Sequence, residues 1–316
     1  MLRLLIDTDP GIDDALALFL AIASPEVQIE GITTVSGNVS ISMTTHNALA
    51  LLELAGATQT TVASGSARPL IRQAVFADHV HGENGIGGVQ LPAPQQEPLH
   101  NKAVETIIQT ILQAPGEITL VALGPLTNLA LAVRCEPKIA EMVREVVIMG
   151  GAFQVPGNVT PAAEFNIYAD PHAAHIVMHA GWPLRLVSLD VTNHTLMDQE
   201  QFARLAANNH PVTRSMQAMA TSYIEGMGKK RGVSGIAMHD PLCLAAAIQP
   251  ELITWRNAYV DIELNGTYTQ GQTITYFDQD PARPTTNQPN VLASINVDKE
   301  RFIALYMDTI AAYYRS

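Results

Sequence analysis

Hydrophobic residues occur along this chain in two alternating patterns: short unbroken apolar runs, and longer stretches with an apolar face at helical spacing. Leu2 to Ile6 reads as a buried strand, Asp13 to Ala23 as a helix, Val27 to Val35 as a strand, and Ser42 to Ala55 as a helix stopped by Gly56. Ile118 to Leu123 is a strand ending in Gly124-Pro-Leu-Thr-Asn128, which opens another helix. Glu145 to Met149 is a strand ending in Gly150-Gly151, and Leu184 to Leu189 a strand ending in Asp190. Ala258 to Leu264 and Gln272 to Phe277 read as a strand pair joined through Asn265-Gly266, and Asp298 to Tyr314 as a final helix. Ser66 to Leu99 and Gly150 to Ala169 read as long loops, and loops of that length in a compact domain are usually functional. The alternation predicts an α/β fold, an open, mostly parallel (mixed) sheet flanked by helices on both faces. No repeat, low-complexity tract or clear linker interrupts it, so residues 1–316 read as one domain.

Polar residues gather where these strands end. Asp7, Asp9, Asp13 and Asp14 surround Pro10-Gly11, at the end of a strand and on the first turn of a helix. Aspartate caps free N–H groups and suits the helix dipole, so one or two of the four read equally well as caps. Four on one turn are too many for capping alone. Their charges repel at close range, and a cation relieves that repulsion. All the donors are hard oxygens, which selects calcium or magnesium over zinc. Asn38, Asn128, Asn166, Asp190 and Asp240 also lie at or near strand ends or helix starts. Each alone reads as a turn or cap residue. On a doubly wound sheet, however, such ends form a single rim where ligands bind. In Met238-His-Asp-Pro241, His239 is a candidate for catalysis against an ordinary structural role, and Asp240 for completing a metal site. His79-Val-His-Gly-Glu-Asn-Gly85 reads equally as a flexible lid or a mobile surface loop.

Composition narrows the chemistry. The chain has 316 residues, 47% of them hydrophobic, enough for a large core, and its net charge of −12 argues against nucleic acid or an anionic membrane as partner. Cys135 and Cys243 match no metal or redox spacing, which suits a reducing cytosol. The apolar run after Met1 breaks at Asp7, so no signal peptide is expected, and the long apolar run Ala15 to Ala23 reads as a buried helix rather than a membrane span. The segments 4–15, 36–38, 79–88, 147–166 and 238–241 contain no Lys or Arg. Enzymes that handle phosphate usually clamp it with cations or a P-loop, so a neutral, hydroxyl-rich substrate is expected. The nearest basic group, Lys229-Lys-Arg231, reads as part of a rim. No Gly-x-Ser-x-Gly elbow is present.

Asp7-Thr-Asp-Pro-Gly-Ile-Asp-Asp14 resembles the signature of the inosine–uridine preferring nucleoside hydrolases. Thr33-Thr-Val-Ser-Gly-Asn38, His81-Gly-Glu-Asn-Gly85, Gly124-Pro-Leu-Thr-Asn128, Val147-Ile-Met-Gly-Gly151, Ala163-Glu-Phe-Asn166 with Asp170-Pro171, and Met238-His-Asp240 resemble further motifs of that family, in family order. The similarity covers essentially the whole chain, and within the family it is strongest to bacterial ribonucleoside hydrolases that accept purine and pyrimidine nucleosides alike. It implies a Rossmann-like nucleoside hydrolase fold and calcium-dependent hydrolysis of the N-glycosidic bond of uridine, cytidine or inosine to ribose and free base. It also implies a role in nucleoside salvage, a cytoplasmic location, and a homotetramer or homodimer. By the same resemblance Asp9 is the general base, and one calcium ion is held by Asp9, Asp14, Asp240 and the backbone carbonyl of Leu123. Asp13, Asn38 and Asn166 then surround ribose and metal, Asn158 and Glu164 grip the 5′-hydroxyl, His239 lies near the leaving base, and His81 sits on the loop beside it. Met149 and Phe165 fall in motifs expected around base and lid. Tyr223 is a candidate base contact, against an ordinary packing role. Asn84 departs from the family pattern, standing where Ser is common.

The implied chemistry is physically coherent. Breaking a ribose–base bond builds an oxocarbenium-like sugar, which surrounding carboxylates favour. Two other readings stay open: a magnesium phosphohydrolase using the Asp-x-Asp pair, and a non-catalytic calcium- or ribose-binding protein on the same scaffold. Purine-specific relatives stack tryptophans around the base, whereas Trp182 and Trp255 lie beside neither His81 nor His239 in sequence. Pyrimidine nucleosides are therefore expected to be at least as good substrates as inosine.

Overall fold

A computed structural model describes residues 1–229, 232–278, 280–282, 284 and 287–315, so Lys230 and Arg231 of the basic segment lie outside the described residues. The first half runs β1 (Leu2–Thr8), α1 (Ile12–Ala23), β2 (Val27–Thr34), α2 (Ile41–Ala55), β3 (Val62–Ser64), α3 (Asp78–His81), α4 (Ala103–Gln113), β4 (Ile118–Ala122), α5 (Thr127–Cys135), α6 (Ile139–Met142) and β5 (Glu145–Met149). It continues through α7 (Phe165–Ala169), α8 (Pro171–Met178), β6 (Leu184–Val187), α9 (Leu189–Thr192), β7 (Leu196–Asp198), α10 (Gln199–Ala206) and α11 (Pro211–Tyr223). After a π-helical turn at Ile224–Gly228 come β8 (Gly235–Ala237), α12 (His239–Ile248), β9 (Ile253–Ile262), β10 (Thr273–Phe277), β11 (Val291–Val297) and α13 (Lys299–Tyr313).

Nine strands form one sheet in the order β10-β9-β11-β6-β5-β4-β1-β2-β3. From β11 across to β3 every neighbouring pair is parallel, and β9 pairs antiparallel with both β11 and β10. The sheet is thus mixed and mostly parallel, as the alternation of apolar runs predicts. Chain order runs outward from β1 to β3 on one side and from β4 to β6 on the other. The crevice between the ends of β1 and β4 is therefore a topological switch point.

The core explains why β1 is an unbroken apolar run. Leu4 and Ile6 pack into the layer containing α1, while Leu5 points into the opposite layer with Ile107, Leu120 and Leu129. Both faces are covered, which favours apolar side chains from Leu4 to Ile6, and the polar residues that follow, Asp7 and Thr8, are buried only with hydrogen-bond partners. Burying each such side chain contributes roughly 1.5–3 kcal/mol. Helix α1 is buried from Asp14 through Ala21 and lies under α13; the hydroxyls of Tyr306 in that helix and of Tyr314 just past its end donate to the Leu16 and Phe19 carbonyls at 3.1 and 3.4 Å. The apolar run Ala15–Ala23 is thus a buried helix, and among the described residues no helix is long and apolar enough to cross a membrane.

Several boundaries differ from the sequence expectation. The strand expected over Leu184–Leu189 ends at Val187, because Ser188 caps a short helix by accepting from the Asp190 amide. The long loop after Ser66 contains the single turn α3, and the last five residues of the segment Gly150–Ala169 are helical.

Candidate active site

The rim at the switch point is built by the chain leaving β1. The ladders run to its end: the Leu123 amide donates to the Asp7 carbonyl at 2.8 Å and the Val35 amide to the Thr8 carbonyl at 3.0 Å. Asp9, Pro10 and Gly11 then turn the chain into α1. The four aspartates divide into different roles. Asp7 points down into the sheet, where it accepts from the Thr33 hydroxyl and from Asn128 Nδ2 at 2.8 Å, and burial pushes its carboxyl up to about 7. It lies beneath the site rather than on the rim. Asp14 is a cap as well as a site residue. Its Oδ2 accepts from the Gly11 amide at 2.9 Å and from Asn38 Nδ2 at 3.0 Å, and its Oδ1 accepts from the Thr8 hydroxyl and the Asp9 amide.

Asp9 is 1% exposed. Its Oδ2 accepts from the Asn38 amide at 2.6 Å, while Oδ1 is buried with no hydrogen-bond partner among the described residues. Two close backbone approaches hold this carboxylate. A Cβ on Gly37 would stand 2.1 Å from Oδ2, and one on Gly124 2.4 Å from Oδ1. Asp240, on the first turn of α12, comes from the far end of the sequence to complete a trio with Asp13 and Asp14, with one carboxylate oxygen of each within 4.8 Å of the others. Burial raises all four carboxyls, and the neighbouring negative charges add to the shift for Asp9, Asp13 and Asp240. Asp13 is pushed up to about 8.

This arrangement fits a hard divalent cation. The donors are all oxygens, three carboxylates converge, and the buried Asp9 Oδ1 lacks a partner that a cation or a water would supply. Leu123 lines the same cavity, and its carbonyl accepts from Asn166 Nδ2 at 2.7 Å.

Above the carboxylates lies a cavity of about 210 Å³. Asp13, Asn38, His81, Leu123, Met149, Asn158, Glu164, Phe165, Asn166, Tyr223, His239 and Asp240 all line it, so nearly every sequence-predicted site residue converges there. Glu164 caps α7. Its carboxylate accepts the amides of Asn166 at 2.9 Å, Gly151 at 3.1 Å and Ile167 at 3.2 Å, and burial nevertheless raises its carboxyl to about 7. Asn158 Oδ1 accepts from the Phe165 amide at 2.9 Å, which fixes the loop against that helix. His239 Nδ1 lies 2.7 Å from the Thr192 hydroxyl. His81 Nδ1 accepts the Ile12 amide at 3.1 Å, tying the His79–Gly85 segment to the start of α1.

Two rim candidates belong elsewhere. Asn128 braces Asp7, the Thr34 carbonyl and the Ser66 amide. Asp190 accepts the Phe153 and Gln154 amides, both at 2.8 Å, and so shapes the loop after β5. Sequence reasoning missed Ala77, Val80, Val159, Ile236 and Ala237 in the cavity wall, small or apolar residues with no chemical signature. It also missed Asn47, whose Nδ2 donates to the Pro10 carbonyl at 3.0 Å and the Asn84 carbonyl at 2.9 Å. Asn84 has a clear role: its Oδ1 accepts the Ile86 and Gly88 amides and its Nδ2 donates to the Val89 carbonyl, folding the segment on itself. No Lys or Arg lines the cavity among the described residues. This agrees with a neutral substrate and weakens the phosphohydrolase reading.

Comparison with known proteins agrees with the geometry. Residues 4–304 match the family described as inosine-uridine preferring nucleoside hydrolase. A pyrimidine-specific ribonucleoside hydrolase, RihA of Citrobacter koseri, is 39% identical over 315 residues, covering 99% of each chain. A plant nucleoside hydrolase structure superposes with a TM-score of 0.93 at 36% identity, covering 98% of this chain and 99% of its own. A purine-preferring ribonucleoside hydrolase from Gardnerella vaginalis also gives 0.93, at 31% identity and 99% coverage of both chains. With an aspartate-lined switch point below a cavity that no Lys or Arg lines among the described residues, and matches along nearly the whole chain, the chain belongs to the inosine-uridine preferring nucleoside hydrolase family, whose members cleave the N-glycosidic bond of ribonucleosides.

Proposed function

We propose that this chain is a calcium-dependent ribonucleoside hydrolase that releases ribose from both pyrimidine and purine nucleosides. The unpartnered Oδ1 of the buried Asp9 carries the reading, because a carboxylate in that state accepts a proton once a water is placed against it. Asp9, Asp14, Asp240 and the Leu123 carbonyl would hold the ion, with Asp13 beside them. A calcium ion there would neutralise the carboxylates, orient the attacking water and lower its pKa.

Asp9 takes the proton of that water as it attacks the anomeric carbon. Asp13, Asn38 and Asn166 hold the ribose hydroxyls, and Asn158 and Glu164 hold the 5′ end. Carboxylates below the ring favour the positive charge that develops on the sugar. His239, oriented by Thr192, lies in the same cavity and supplies a proton to the departing base. The base occupies the wall formed by Val80, His81, Val159, Phe165, Tyr223 and Ile236.

Neither tryptophan lines this wall: the indoles of Trp182 and Trp255 donate instead to the Val177 and Pro250 carbonyls. Aromatic pairing adds only about 0.5–1.5 kcal/mol beyond area burial, so a wall without tryptophan gives purines little advantage. Uridine and cytidine are then at least as good substrates as inosine. The test is release of free ribose from a panel of five nucleosides, with and without a chelator. Activity that survives complete chelation removes the cation from the reading. Absence of ribose from every nucleoside leaves a binding protein, and strict purine selectivity removes the argument from the cavity wall.

A further inference from the structure

Far from the switch point, at the antiparallel end of the sheet, three metal-ligating side chains converge. His175 lies on the last turn of α8, and His179 follows four residues later at its C-cap, so both imidazoles project from the same face. Asp261 projects from β9, on which α8 packs. Asp261 Oδ1 lies 2.8 Å from His175 Nδ1 and 3.2 Å from His179 Nε2, and the two rings are 4.6 Å apart between centroids. One ligand atom from each residue falls within 4.8 Å of the other two.

We propose that His175, His179 and Asp261 form a second, separate cation site, selective for zinc or a similar first-row divalent ion. Two imidazole nitrogens and one carboxylate are the donors such ions take, whereas calcium and magnesium favour all-oxygen shells like the one below the cavity. Tetrahedral zinc, at about 2.0–2.2 Å from each ligand, holds its ligands about 3.3 Å apart. The two carboxylate–imidazole spacings are close to this, and the two imidazole ligand atoms lie within 4.8 Å of each other, so only a small adjustment of the trio is needed. The carboxylate is already oriented. The Ile262 amide donates to Oδ1 at 2.8 Å and the Tyr259 hydroxyl to Oδ2 at 3.3 Å, the kind of outer hydrogen bonding that fixes a metal ligand. The side chains are 32–39% exposed, so water completes the shell from outside.

The site bears on the fold around the cavity. At the other end of α8, Asp170 caps the helix and accepts the Leu70 amide and the Thr127 hydroxyl, both at 2.8 Å, directly after the short helix that carries Asn166. An ion joining the C-terminal end of α8 to β9 would anchor the helix at both ends.

The test is zinc titration by calorimetry in excess calcium, with cobalt(II) absorption reporting coordination. Wild-type protein should take up one zinc equivalent at low micromolar Kd or tighter. His179→Ala and Asp261→Asn should each weaken it at least tenfold while keeping uridine turnover in calcium within about twofold. Asp240→Ala should leave this zinc affinity unchanged. Zinc affinity unaltered in both the His179 and Asp261 variants, or no zinc uptake by wild type, overturns the proposal and leaves a hydrogen-bonded triad only. Loss of zinc only in Asp240→Ala places the ion below the cavity and overturns it equally. The zinc readings do not depend on the protein hydrolysing nucleosides; only the turnover control does.

Discussion

Replacing Glu164 by Gln should flatten the pH dependence of stability and so reveal the cost of the buried carboxylate. In the folded protein this carboxyl is pushed up to about 7, against an ordinary value of 4.5, because burial outweighs the backbone hydrogen bonds it accepts. Stability conferred by the neutral side chain is full below pH 4.5 and is lost as pH rises through 7. Between pH 5 and pH 8 these two values correspond to a loss of about 2.5 kcal/mol, at roughly 1.4 kcal/mol per pKa unit. Glutamine does not titrate, so the variant avoids that loss. It has a single oxygen for three amide donors, however. Placing that oxygen at the Gly151 and Ile167 amides turns its –NH2 toward the Asn166 amide and costs about 1–3 kcal/mol at every pH. The variant should therefore be less stable than wild type at pH 5 and draw level with it or overtake it at pH 8. Urea denaturation of both proteins in chelator, from pH 5 to 8, measures the difference. Other carboxylates titrate in both proteins and cancel. Parallel stability profiles would refute the assignment of this pH dependence to Glu164.

Asp9→Asn should lower kcat by roughly 10²–10⁴-fold while the protein still folds, since it removes the proposed base; retention of more than a tenth of wild-type turnover points to another base. Asp240→Ala should lose bound calcium and activity together, and the rise in Tm on adding calcium to wild type should disappear, because one of three converging carboxylates is gone; unchanged calcium content takes Asp240 out of the ion's shell. Nucleoside 5′-monophosphates should be much poorer substrates than free nucleosides, because Glu164 would face the phosphate with like charge and no cationic side chain among the described residues lines the cavity. Comparable kcat/KM for uridine and its monophosphate would contradict this.

The parts legible in the sequence were those where one physical demand dominated. Leu4, Leu5 and Ile6 had to be apolar because both faces of β1 are covered, so the strand and the aspartates at its end could be read directly. Asp9 and Asn38 were placed because parallel strands present their carboxyl ends on one rim, and Asn166 and Asp240 because they open helices that face it. The same logic misplaced Asn128 and Asp190, which lie near the same kind of ends but brace Asp7 and the loop after β5. Position at a strand end does not fix which way a short polar side chain turns. β3 has three residues, too few for a period to show, and β11, Val-Leu-Ala-Ser-Ile-Asn-Val, mixes apolar and polar positions without a clean period of two. Val80, Val159 and Ile236 were invisible as site residues, because an apolar wall residue is indistinguishable in sequence from core.

The glycine clasp on Asp9 makes the proposed base sensitive to mutations that leave every polar side chain in place. Gly37 and Gly124 belong to two different strand-to-helix connections, and each approaches the carboxylate too closely for even a methyl group. Adding that methyl to either would displace a carboxylate whose position is fixed from both sides. Inherited variation at these two glycines should therefore cost activity although no charged or polar residue has changed, a class of loss-of-function allele that a survey of such residues alone would overlook.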